Sequence, residues 1–231
     1  PVGIILLMNI FREKILFEKD IVDRTNIPLL GIIPTGSKNK KSPLKINVVT
    51  HSGRDPLTES FRMLRSKLDY FSNNQKKAGA AILQISSSGS WEGKSFISIN
   101  MALSLAYMGK KVLLIGADLY KPTLSEYLEI DLEANGLSTY LEEKIEDIHE
   151  VIISHKETSN LDIIPTGPIP HDPGELLSHS LMKETLNNLR DEYDYIIVDS
   201  PPFVVVSGGF IISNYVDCTL YVVRSNYTRL S

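Results

Sequence analysis

This 231-residue chain has one cysteine, Cys218, and one tryptophan, Trp91. A lone cysteine forms no internal disulfide and supplies no thiolate pair for a structural zinc site. Cys218 opens the apolar run Cys-Thr-Leu-Tyr-Val-Val and reads as a buried core residue in a reducing compartment. The five histidines, at 51, 149, 155, 171 and 179, form no ligand cluster, and His149-Glu150 lacks a second histidine four residues on. A Gly-x-Ser-x-Gly nucleophile turn is also missing. The net charge of −4 argues against nucleic acid as the main partner.

Long apolar runs are missing as well. Val2–Met8 is almost wholly apolar but falls far short of the roughly 20 residues that span a bilayer. It has neither the flanks nor the cleavage site of a signal peptide. It reads either as the inner end of a transmembrane helix or as the start of a buried one. Arg12, Lys14 and Lys19 follow, then Lys38, Lys40, Lys41 and Lys45. Basic residues just past an apolar segment suit the cytoplasmic face of a membrane, although alone such a stretch is more often a solvated loop.

Past residue 50 the pattern is regular. Asp55-Pro56 offers an N-cap and first turn for a helix with Phe61, Leu64, Leu68 and Phe71 at spacings of three and four. Ala80–Ile85 is a short apolar run, a loop of small residues follows, and a helix is expected from Lys94 to Met108, stopped by Gly109. Val112–Ile115, Leu161–Ile164, Tyr195–Val198 and Cys218–Val223 read as strands. A helix opening at Pro173 carries Met182, Leu186, Leu189 and Tyr193 on one side. Strands without polar alternation, separated by helices, predict a three-layer α/β fold of the P-loop NTPase kind, a mostly parallel sheet with helices on both faces.

The loop Ser86–Ser95 ends in Gly93-Lys94-Ser95. Glycine permits a tight turn, lysine reaches terminal phosphates and serine offers Mg²⁺ a hydroxyl. The strict phosphate-loop spacing wants glycine where Ser88 stands, and Trp91 places bulk beside the cradle. Ligands of a parallel sheet bind beyond the carboxyl ends of its strands. Asp118 lies three residues past Ile115 and Asp199 ends Tyr-Ile-Ile-Val, so three strands deliver a phosphate cradle and two carboxylates to one edge. Mg-nucleotide chemistry needs that combination, because the metal takes hard oxygen ligands.

The chain resembles the cytoplasmic domain of bacterial tyrosine kinases, the family coupled to chain-length-control proteins of capsule and exopolysaccharide export. Ser87 through Ser95 resembles its Walker A loop, Val112-Leu-Leu-Ile-Gly-Ala-Asp118-Leu-Tyr-Lys-Pro122 its second Walker motif, and Ile196-Ile-Val-Asp199-Ser-Pro-Pro202 its Walker B. Glu59, Arg62 and Arg65 match its Glu-x-x-Arg-x-x-Arg motif, Asp20 through Pro34 its segment after the second transmembrane helix, and Pro165-Thr-Gly with Asp172-Pro-Gly-Glu-Leu-Leu177 further family segments. The resemblance implies an ATP-dependent protein tyrosine (auto)kinase regulating capsule and exopolysaccharide biosynthesis, on the cytoplasmic side of the bacterial inner membrane. It implies a membrane-proximal segment over 1–50 and a kinase domain over 51–231, with the acceptor tyrosines beyond Ser231.

Its implied site has Lys94, Asp118 and Asp199 as catalytic residues. Nucleotide contacts come from Gly89, Ser90, Trp91, Glu92, Gly93, Lys94, Ser95 and Phe96, and Ser95, Asp118 and Asp199 hold Mg²⁺. Glu59, Arg62 and Arg65 would join subunits in a ring; the helix pattern alone favours a solvated face with a weak intrahelical ion pair. ATP and Mg²⁺ are the expected ligands, and the inner membrane, the polysaccharide export machinery and C-terminal tyrosines of the same oligomer the expected partners. The chain departs from the family in Ser90-Trp91 where Pro-Gly is common, in Gly116 for the first aspartate of the second motif, in Tyr120 for an arginine, and in Ser207-Gly208-Gly209 for Thr-Asp-Ala. Gly116 and Trp91 keep open a second reading, a nucleotide-binding scaffold or pseudokinase without phosphate transfer. A partitioning-type ATPase fits less well, because Gly89 stands where that class carries a lysine.

Overall fold

The computed structural model describes residues 14–34, 49–75 and 79–230. Val2–Met8, Arg12, Lys38, Lys40, Lys41, Lys45 and the Phe71 side chain lie outside the described residues. In chain order the helices are α1 (Lys19–Val22), α2 (Pro56–Gln75), α3 (Lys94–Ala106), α4 (Thr123–Tyr127), α5 (Leu137–Leu141), α6 (Pro173–Ser178), α7 (Ser180–Leu189) and α8 (Gly208–Ser213). The strands are β1 (Ala81–Ser87), β2 (Val112–Gly116), β3 (Ile153–Ser154), β4 (Leu161–Ile164), β5 (Tyr195–Asp199) and β6 (Cys218–Val222). They form one sheet in the order β3-β4-β2-β5-β1-β6, parallel throughout except where β3 runs against β4.

The near-continuous apolar strands are explained by burial on both faces. Successive side chains point to opposite faces, so Leu83, Ile85, Leu114 and Ile197 join one core with Phe61 and Leu64 of α2 and Ile99, Leu103 and Leu105 of α3. Ile82, Leu113, Ile115, Ile196 and Val198 join the other, with Met182, Leu186 and Leu189 of α7. Gly109, with φ +84°, ends the α3 turn as the sequence predicts, and the Lys110 N–H donates back to the Leu105 carbonyl at 3.3 Å.

Two expectations change. Cys218 is exposed, because among the described residues β6 is an edge strand with a neighbour on one side only. The helix opening at Pro173 is two helices: His179 is extended (φ −62°, ψ 143°), and its side chain receives the Leu181 N–H at the start of α7.

Described residues N-terminal to α2 lie on this body. Leu30 and Ile33 pack against the first core, and Lys67 donates to the Leu30 carbonyl at 2.6 Å. Residues 14–16 meet the segment after β6: Ile15 N–H donates to Thr228 O at 2.9 Å and Asn226 N–H to Ile15 O at 2.7 Å. Asn100 within α3 accepts the Val49 N–H at 2.7 Å. Among the described residues, no helix is long and apolar enough to cross a membrane.

One ion pair fastens the sheet edge. Arg190, just past α7, donates to Asp217 at 2.8 and 3.3 Å and to Ala80 O at 2.9 Å, while Asp217 also accepts the Ile82 N–H. Both side chains are largely buried. Removing one partner strands the other charge away from water. Arg190→Ala is therefore expected to lower unfolding stability by about 3 kcal/mol in urea denaturation; a loss under about 1 kcal/mol would show the pair to be dispensable.

Candidate nucleotide site at the carboxyl edge of the sheet

β1, β2 and β5 end together. The register pairs Ile85 with Asp199 and Gly116 with Asp199, so the loop after β1 and the turn after β2 flank the end of β5. Gly93 takes φ +100°, a left-handed conformation natural to glycine, and α3 starts at Lys94. The helix N-terminus thus faces the mouth of the loop, where unpaired N–H groups and the helix dipole favour an anion. The result is an open cleft of about 380 Å³ lined by Ser90, Trp91, Gly93, Lys94, Ser95, Phe96, Asp118, Lys121, Thr123 and Tyr127.

Asp199 is 1 % exposed and is held by two hydroxyls of α3, Ser95 Oγ at 2.7 Å and Ser98 Oγ at 2.9 Å. Burial pushes its carboxyl up to about 7; the Ser95 bond opposes the shift and the nearby Asp118 adds to it. Ser95 Oγ also lies 2.8 Å from Thr123 Oγ1 at the start of α4. Asp118 is nearly as buried, and desolvation raises its pKa while the Lys94 ammonium, 4.0 Å from Oδ2, pulls it down. Its Oδ1 accepts the Lys121 N–H at 3.1 Å, which fixes the turn after β2.

Glu92 lies underneath the cradle. Its carboxylate accepts Ser88 Oγ at 2.7 Å, the Gly89 N–H at 2.7 Å and the Thr228 hydroxyl. Glu92 and Gly89 therefore shape the loop from behind, whereas Ser90, Trp91, Gly93, Lys94, Ser95 and Phe96 face the cleft. Trp91 takes φ +66° and the residue is 59 % exposed, at the rim. The Lys121 ammonium sits 3.8 Å from the ring centroid, and Arg224 donates to the Trp91 carbonyl at 2.7 Å.

Gly116 lies where the sequence comparison looks for a further aspartate. A Cβ there would fall 2.7 Å from Thr166 Oγ1, 3.1 Å from Leu124 and 3.2 Å from the Thr166 nitrogen. A side chain at this position needs the Thr166 hydroxyl to turn away and its surroundings to give by a few tenths of an ångström. Sequence reasoning missed Lys121, Thr123 and Tyr127; the hydroxyl five residues after Asp118 was the available signal for Thr123.

Glu59, Arg62 and Arg65 lie on α2, apart from the cleft. Arg62 pairs with Glu59 at 3.2 Å on the surface, and Arg65 donates to Ser104 O at 2.5 Å, one of the last carbonyls of α3. Arg65 thereby ties α2 to α3.

The donor set suits a divalent cation beside phosphates. Mg²⁺ takes one or two protein carboxylates and completes its shell with phosphate oxygens and water. Two neighbouring buried carboxylates and the Ser95 hydroxyl meet that need, with Lys94 placed to balance phosphate charge.

An AAA domain family matches residues 82–223. The chain is 34% identical over 193 residues to the tyrosine-protein kinase YwqD of Bacillus subtilis, covering 83% of this chain and 79% of that protein. It is 31% identical over 233 residues to the tyrosine-protein kinase ptk of Acinetobacter johnsonii, covering 97% of this chain and 31% of that protein. Against the first curated relatives it matches, the chain spans about a third of their length. Among solved structures, the BceF tyrosine kinase domain superposes with a TM-score of 0.80 at 27% identity, covering 94% of this chain and 88% of that one.

The buried Asp199 has a consequence for stability. Its carboxyl titrates near 7 in the folded chain and near the ordinary 3.8 when unfolded, so the folded state holds the extra proton between those values. The stabilising contribution is full below pH 3.8 and is lost as pH rises through 7. The metal-free protein is expected to lose about 3 kcal/mol between pH 5 and 8 at this group alone. Asp199→Asn should flatten that slope in denaturation measured across the range; an unchanged slope would place the titration elsewhere.

Proposed function

The chain belongs to the bacterial tyrosine-kinase family, and from that premise we infer that it binds Mg-ATP at the loop after β1 and transfers the terminal phosphoryl group to tyrosine hydroxyls. The observation that carries this reading is the single cleft uniting the N-terminus of α3, the Lys94 ammonium and the Asp118 carboxylate, with Ser95 bonded to Asp199 behind it.

Backbone N–H groups of Ser90–Ser95 cradle the phosphates, and Lys94 balances charge on the β and γ groups. Ser95, Asp118 and Asp199 would hold Mg²⁺, which when bound neutralises charge shared between those groups. A free tyrosine hydroxyl has a pKa near 10 and needs help at neutral pH. Asp118 orients the acceptor and takes its proton as the phenolic oxygen bonds to phosphorus and the bond to ADP breaks. Burial raises the proton affinity of Asp118, which suits it to that task. Most of the rate enhancement comes from positioning and charge balance.

The wider setting is part of the same reading. Residues 1–50 form the membrane-proximal segment and 51–231 the kinase domain, on the cytoplasmic side of the inner membrane, beside the machinery of capsule and exopolysaccharide export. Glu59, Arg62 and Arg65 contribute to a contact between subunits, in which the C-terminal tyrosines of one copy reach the cleft of the next. Glu59 and Arg62 are the members of the set at the surface.

A second reading, a nucleotide-binding scaffold without transfer, is favoured by one observation. Gly116 leaves the second motif one carboxylate short, in surroundings tight for a larger side chain. Full-length protein incubated with Mg-ATP and mapped by mass spectrometry decides between them. Phosphotyrosine that falls at least a hundredfold in Lys94→Met is expected. Equal labelling in both proteins, or none in either, would remove the kinase reading.

A further inference from the structure

Tryptophan at φ +66° is unusual, because a bulky side chain in the left-handed region is strained. Here the conformation is fixed from both ends. Arg224 grips the carbonyl at 2.7 Å, and the Lys121 ammonium lies 3.8 Å from the ring centroid. With 59 % of its surface exposed, the indole keeps open ring surface at the mouth of the cleft. Behind it lie Lys94 and Asp118, 7 % and 5 % exposed. An exposed aromatic ring and a buried carboxylate thus line the same cleft.

We propose that the Trp91 indole is the docking wall for the acceptor's phenol ring, held in place by Lys121, and that it selects tyrosine over serine and threonine. This rests on the kinase reading for its substrate class. A phenol ring stacks on an indole and carries its hydroxyl well beyond the backbone, so the acceptor chain stays outside while the oxygen reaches Asp118. A serine hydroxyl lies too close to its own backbone to reach a carboxylate 5 % exposed, and it offers no ring to the wall. The nucleobase is the competing occupant. It is disfavoured because the indole is fixed by Lys121, whose own N–H binds Asp118, the proton-accepting side of the cleft.

Binding tests this without requiring phosphate transfer. A short neutral peptide carrying 3-fluorotyrosine is titrated into the full chain with Mg²⁺ and a non-hydrolysable ATP analogue, and its ¹⁹F linewidth is followed. Unlabelled tyrosine, phenylalanine and serine versions serve as competitors. The tyrosine and phenylalanine peptides are expected to compete and the serine peptide not to. Trp91→Leu keeps the backbone strain and removes the ring, and should weaken peptide binding about three- to tenfold. Trp91→Phe should stay within about twofold, and in Trp91→Leu any loss of nucleotide-analogue affinity should be clearly smaller than the loss of peptide affinity, because backbone groups hold the phosphates.

The proposal is overturned by undetectable peptide binding to the native chain, by unchanged binding in Trp91→Leu, or by a serine peptide that competes equally. A parallel loss of analogue affinity in Trp91→Leu also overturns it and gives the indole to the nucleobase. Native chain that binds the tyrosine peptide yet makes no Lys94-dependent phosphotyrosine removes the kinase reading and leaves the docking wall standing.

Discussion

The bond between Ser95 and Asp199 holds this site together. Asp199 ends the central strand β5, and Ser95 opens the helix that points at the phosphate cradle. A carboxylate 1 % exposed would be costly without partners. The two hydroxyls of α3 meet that need and in doing so fix the helix against the sheet edge. The same burial leaves the carboxyl poised near neutrality, ready to exchange its proton for a divalent cation. Asp118 and Lys94 extend this balance across the cleft, each moderating the charge of the other.

A third buried carboxylate shapes the loop itself. Glu92 ties Ser88 and Gly89 to Thr228, and the segment containing Thr228 is hydrogen-bonded to residues 15 and 16 near the N-terminal end of the described chain. The loop conformation therefore depends on contacts made more than a hundred residues away in sequence. Arg224 reinforces the same connection through the Trp91 carbonyl.

The sheet was legible because burial on both faces leaves an unmistakable pattern: Tyr-Ile-Ile-Val before Asp199 and Val-Leu-Leu-Ile before Gly116 admit little else. Lys94, Asp118 and Asp199 were legible for a related reason, since strand ends are where a parallel sheet presents ligands. Cys218 was misread because an edge strand and a central one share apolar composition, and only the sheet order distinguishes them. The break at His179 was hidden because the apolar positions keep helical spacing across it. The role of Lys121 depends on how the turn after β2 folds back over the loop, which no local pattern encodes. The bond from Arg65 to Ser104 had no signal in the sequence, because it exists only once α2 and α3 are packed.

The central claim is that Asp199 is a buried, near-neutral carboxyl that Mg-nucleotide converts to its charged form. A ¹³C NMR titration of the Asp199 side chain, in metal-free protein and again with Mg²⁺ and a non-hydrolysable ATP analogue, tests it most directly. The account predicts a midpoint near 7 without ligand and one below about 5 with it. A midpoint near 4 in the metal-free protein, or one unmoved by the nucleotide, would contradict it.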